Sequence, residues 1–154
     1  MRLKHTTTLA TLAAVAVAGT AFAATTSDEV TAQMGGSARI APGGKLRLVL
    51  THKSGAKQFH VTIHYDVTAR ARTQLAFAVY PCKSTSCIGR SAGQTTLTAA
   101  RVWHVTFNGH VPVNSSGGKA CVYAQIRDLG PKGKQPGSII HHGGKKGVSF
   151  CRKA

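Results

Sequence analysis

The sequence predicts an all-β chain: a two-sheet antiparallel sandwich of about seven strands, with immunoglobulin-like or Greek-key architecture, behind a cleaved leader. Three observations carry this. Apolar and polar residues alternate in run after run, as in Phe59-His60-Val61-Thr62-Ile63-His64-Tyr65, the period of a half-buried strand. Turn signals built on Gly, Pro and Ser punctuate the runs at a spacing of about ten residues, the rhythm of short strands in a sandwich. No segment after the leader repeats its apolar residues at a helical spacing. A small antiparallel barrel is the alternative.

Residues 1–23 have the form of a signal peptide. Arg2 and Lys4 supply a basic start, Leu9 to Ala18 a short apolar run, and Ala21-Phe22-Ala23 small residues at the two positions before cleavage. The run is shorter than the roughly 20 residues that span a bilayer, so no membrane span is expected in the mature chain. Residues 24–36 are polar and Thr-rich, carry Asp28 and Glu29, and are expected to form a flexible N-terminal arm. Residues 37–154 then make one domain.

Within it, Ala41-Pro42-Gly43-Gly44 is a turn, and Leu46, Leu48 and Leu50 mark the apolar face of a strand. Ser54-Gly55 turns the chain into the clearest strand, with Phe59, Val61, Ile63 and Tyr65 on one face. Thr68 to Arg72 is a basic connection, after which Leu75, Phe77 and Val79 alternate again. Leu97 to Phe107 reads as one long strand with Arg101 as an exception in its apolar row, requiring snorkelling, a partner or a bulge. Through Asn108-Gly109 and Gly117-Gly118 it is expected to join a second strand, Lys119 to Arg127. Residues 129–147 are Gly-, Pro- and Lys-rich with the pair His141-His142, and read as a long basic loop, a length usually functional or disordered.

The two-sheet arrangement resembles immunoglobulin-like domains in architecture alone. Tyr123 follows Cys121 by two, where the tyrosine corner of that family places it two before, and no Cys-Trp-Cys order is present.

Four Cys in an exported chain imply two disulfides. Parity selects a pairing. Cys121 and Cys151 both lie opposite the apolar faces of their strands, Val122/Ala124/Ile126 and Val148/Phe150, and so fit a cross-strand bond. Cys82 and Cys87 would clip the short loop between them. Chain entropy gives the first link about 3–4 kcal/mol and the second about 2. The alternative, Cys82 to Cys121, would tie two sheets together. A structural zinc site fails on ligand spacing.

The chain carries 20 Lys and Arg against four acidic residues, a formal charge of +16. Loss of Arg2 and Lys4 with the leader leaves about +14, which favours polyanionic partners. The scarcity of aromatics argues against a single-strand nucleic-acid groove. The acids Asp28, Glu29, Asp66 and Asp128 offer no evident carboxylate pair, no Gly-x-Ser-x-Gly elbow is present, and oxidised Cys would supply no thiolate. No catalytic residue, cofactor or metal site is therefore assigned. His60 and His64 share a face but stand about 13 Å apart on one strand; His60 with His104 or His52, joined by His141-His142, is the arrangement that would suit Cu or Zn.

The expectation is a secreted, non-catalytic binding module that engages an anionic polymer or envelope surface. The residues assigned to that contact are Lys132, Lys134, Lys145, Lys146, Arg152 and Lys153. A second basic group, Lys45, Arg47, Lys53 and Lys57, flanks the first hairpin, and strand order decides whether the groups meet. The alternative is an extracellular protein-binding or inhibitor domain acting through disulfide-braced loops.

Overall fold

The computed structural model describes residues 24–83, 86–87, 91–112, 115–116 and 119–153. The leader expected over residues 1–23 lies outside the described residues. The chain folds as an open two-sheet antiparallel sandwich, not a closed barrel. No helix among the described residues is long and apolar enough to cross a membrane.

The strands are β1 (Thr25–Met34), β2 (Gly44–Lys53), β3 (Gln58–Thr68), β4 (Thr73–Lys83), β5 (Ser86–Cys87), β6 (Ser91–Leu97), β7 (Val102–Pro112), β8 (Ser115–Ser116), β9 (Lys119–Gly130), β10 (Ser138–Ile139) and β11 (Val148–Lys153). One sheet runs β1-β2-β3-β7. The other centres on β4 and β9, with β6 along the far side of β4 and β10 and β11 along β9. β3 and β7, and β4 and β9, are neighbours that are distant in sequence, so the chain crosses between sheets in the Greek-key manner.

Alternation puts the core between the sheets. Leu46, Leu48 and Leu50 from β2 and Phe59, Val61, Ile63 and Tyr65 from β3 meet Leu75, Phe77 and Val79 from β4 and Val122, Ala124 and Ile126 from β9, all buried. Burial of each large side chain of this kind is worth roughly 1.5–3 kcal/mol over exposure. Phe107 stacks on Phe77 with ring centroids 5.7 Å apart. It fits because Gly93 and Gly109 lie against it: a Cβ on Gly93 would fall 2.5 Å from the Phe107 ring.

Three expectations are corrected. Residues 24–36 are no loose arm, because Thr25–Met34 pairs along its whole length with β2. Val30, Ala32 and Met34 pack toward the core, and the Thr and Val content suits an extended chain. Leu97 to Phe107 is two strands in different sheets, divided at residues 98–101, and Asn108-Gly109 lies within β7 opposite Thr62 and Val61. β7 and β9 therefore form no hairpin. The long basic loop expected over 129–147 is not a free loop but packs onto the sandwich. It turns at Gly133, whose φ is 63°, and runs back along β9, where Ser138 and Ile139 pair with Asp128 and Arg127. Ile140 is fully buried and donates its N–H to Ile126, and the His141 carbonyl accepts from Gly35 N–H. This segment thus closes the flank between β1 and β9.

Both disulfides have the expected connectivity, Cys82–Cys87 and Cys121–Cys151. Cys82 also stands opposite Cys121, so the four Cys form one row across β5, β4, β9 and β11. Two disulfides fit an oxidising environment.

Candidate functional site: a basic end and a trough on the outer sheet face

Strand order settles where the charges go. At one end of the sandwich lie the turns 35–43, 69–72, 98–101 and 131–137. They are knit by backbone bonds: Ala69 N–H to the Arg101 carbonyl at 2.9 Å and Arg70 N–H to the Arg39 carbonyl at 2.8 Å. Gly133 meanwhile sits against the Gln74 side chain at the start of β4. These turns bring together Arg39, Arg70, Arg72, Arg101, Lys132 and Lys134, with all but the half-buried Arg39 exposed. The Arg101 guanidinium lies 3.9 Å from the Trp103 ring centroid, a cation–π placement that orients it. That resolves the exception in the apolar row, because Arg101 belongs to the turn and not to a strand.

A buried carboxylate holds these turns together. Asp128 is 6 % exposed. It accepts from Ser37 Oγ at 2.5 Å, from Thr73 Oγ1 and from Gly130 N–H at 2.9 Å. Burial by itself would raise its pKa, but the Ser37, Thr73 and Gly130 hydrogen bonds and the nearby Arg39 outweigh burial and hold it below the ordinary value. Ser37 belongs to the turn carrying Arg39, Thr73 follows Arg72, and Gly130 precedes Lys132. One anion therefore anchors three cationic turns. Tyr65 is fully buried, and its hydroxyl has no hydrogen-bond partner among the described residues. Burial first, and then the Asp128 charge, push its pKa upward.

Each basic group expected from the sequence is split by this geometry. Lys132 and Lys134 belong to the end just described. Lys145 lies on the flank beside Ala32 and Gln33, bridged through its backbone to His142. Lys146 is exposed next to it, and its carbonyl accepts from Gln125 Nε2 at 3.3 Å. Arg152 and Lys153 pair through their backbones with Ala120 and Lys119 at the opposite end. In the second group, Lys45 and Arg47 start β2 near the arginine-rich end, whereas Lys53 and Lys57 flank the turn at the other. Both ends are therefore basic, one dominated by arginine and the other by lysine. From the sequence, Arg70 and Arg72 read as part of a basic connection and Arg101 as an exception in an apolar row, and neither these nor Arg39 were assigned to the anionic contact. Their common signal is that all four fall in turns and none inside a strand.

The outer face of the β1-β2-β3-β7 sheet is polar. His60 and His110 stack across β3 and β7 with centroids 4.7 Å apart. His104 Nδ1 lies 2.7 Å from Asp66 Oδ1, and Thr62 donates to Asn108. His60 thus meets His110 in place of His104 or His52. His52 packs on Phe59, and its Nε2 lies 2.9 Å from the Ala56 carbonyl. Among the described residues no three His, Cys, Asp or Glu are grouped to hold a metal ion.

The outer face of the other sheet holds a trough of about 430 Å³. Ala76, Ala78 and Ala92 form its floor, with Tyr80, Gln94, Gln125 and Arg127 around it and Gln135-Pro136 as a rim. Alanines leave the floor low, and the returning 131–137 turn builds the wall. No family model, no curated protein and no solved structure matches this chain.

Proposed function

We propose that the protein is an exported, non-catalytic module that binds polyanions through its arginine-rich end. The observation that carries this reading is the gathering of Arg39, Arg70, Arg72, Lys132 and Lys134 on three turns anchored by one buried carboxylate, with Arg101 on a fourth turn tied to them through the backbone of Ala69. The two nearest acids do not cancel that charge toward a ligand: Asp128 is buried, and Asp66 is taken up by His104. Arginine suits phosphate, sulfate and carboxylate groups better than lysine, because its planar fork makes paired hydrogen bonds. The two disulfides and the form of residues 1–23 support export. The four acids are dispersed over β1, β3 and β9, which supports a non-catalytic reading.

The test is binding of the mature chain to duplex DNA, sulfated polysaccharide, phosphate-rich polymer and anionic vesicles across a salt series. The expected result is an affinity that falls steeply with salt. Salt-insensitive binding, or none to any of the panel, would overturn the reading.

A further inference from the structure

We infer that the trough on the outer face of the β6-β4-β9 sheet is a second binding site, and that it takes a short segment of an acidic oligosaccharide with a uronate carboxylate against Arg127. It shares the 131–137 turn with the arginine-rich end but lies on the outer sheet face and sets a single arginine, Arg127, beside an apolar floor.

The site is built before any ligand arrives. Gln125 is 8 % exposed and is held from both sides: its Nε2 donates to Tyr123 Oη and to the Lys146 carbonyl, both at 3.3 Å, and its Oε1 accepts from Arg127 Nε at 3.0 Å. Arg127 Nη1 donates to the Pro136 carbonyl at 3.0 Å. Two bonds therefore fix the guanidinium while leaving the remaining N–H groups of its five to meet an anion.

The floor narrows the ligand class. Ala76, Ala78 and Ala92 present a flat, shallow apolar surface that carries no hydrogen-bonding side chain, beside the Tyr80 ring. Pyranose rings have such a two-sided character, with a C–H face for methyls and aromatics and hydroxyls at the edge for amides. Gln94 and Gln135 supply amides around that floor, while the Gln125 amide is used in holding Arg127. An extended peptide cannot add a strand within the trough, because β4 is already paired along this stretch with β6 on one side and β9 on the other. At about 430 Å³ the trough falls at the small-molecule end of the usual 300–1,000 Å³ range, which suits a few sugar rings and not a whole polymer.

The experiment is titration of the full mature chain with a uronic-acid oligosaccharide and with its neutral counterpart of equal length, read by calorimetry and by amide chemical shifts. The expected result is saturable binding of the acidic sugar, with shifts centred on Ala76, Ala78, Gln94 and Gln125. Ala78→Leu, which fills the floor from the outer face, should abolish it. Arg127→Gln should weaken it about tenfold or more while leaving the neutral sugar unchanged. Melting temperatures of both variants check the fold. Arg70→Gln/Arg72→Gln should bind the oligosaccharide as the parent does, which separates this site from the arginine-rich end. No saturable binding by the parent chain, equal affinity for acidic and neutral sugars, or full binding by a folded Ala78→Leu variant would each overturn the inference.

Discussion

At the residue scale, Asp128 links stability to the proposed surface. Its carboxyl is held below the ordinary range, and the unfolded chain would titrate it near 3.9. Its contribution is therefore complete above that value and fades as the pH falls through the lower folded one. Asp128→Asn should lower stability by roughly 2–3 kcal/mol at neutral pH, because three donors lose a charged acceptor. The gap to the parent should narrow below about pH 4, and denaturant midpoints at neutral and acid pH will measure it. The opposite sign is expected at Tyr65, whose hydroxyl is buried without a partner among the described residues. Tyr65→Phe keeps the ring and removes the desolvated group, so it should be neutral or stabilising by up to about 1 kcal/mol in the same measurement.

At the element scale, how far the sequence could be read depended on how cleanly each strand separates its faces. Phe59 to Tyr65 alternates without exception and is β3. The disulfide between Cys121 and Cys151 followed from parity alone, since both Cys lie opposite the apolar faces of β9 and β11. β1 was hidden because Asp28 begins its inward row and Ala32 continues it weakly. β6 and β7 ran together because Leu97 and Val105 keep one parity across the turn that separates them. The 129–147 segment is hidden for a different reason: composition reports Gly, Pro and Lys, whereas burial of Ile140 fixes the path of the returning chain. Ile140→Ala should cost about 3 kcal/mol, seen as a lower melting temperature, which a free basic loop would not show. Deletion of residues 132–146 would open the flank of the sandwich as well as remove charge.

At the scale of the whole molecule, neither proposed binding surface is a property of one stretch of sequence. The arginine-rich end is assembled from four turns whose proximity depends on strand order, and the trough from outward alanines on neighbouring strands that no periodicity marks. What composition did supply was the sign of the charge on which the proposed partner rests. The opposite end of the sandwich carries Lys53, Lys57, Arg152 and Lys153, which makes a charge-matched comparison available. Two variants would be prepared, Arg70→Gln/Arg72→Gln/Lys132→Gln/Lys134→Gln and Lys53→Gln/Lys57→Gln/Arg152→Gln/Lys153→Gln, each losing the same charge. Their binding to duplex DNA would be followed across a salt series. The first variant should bind far more weakly, with its salt slope reduced in magnitude by about 3, while the second stays close to the parent. Equal losses in the two would mean that net charge acts without a site, and would contradict the account.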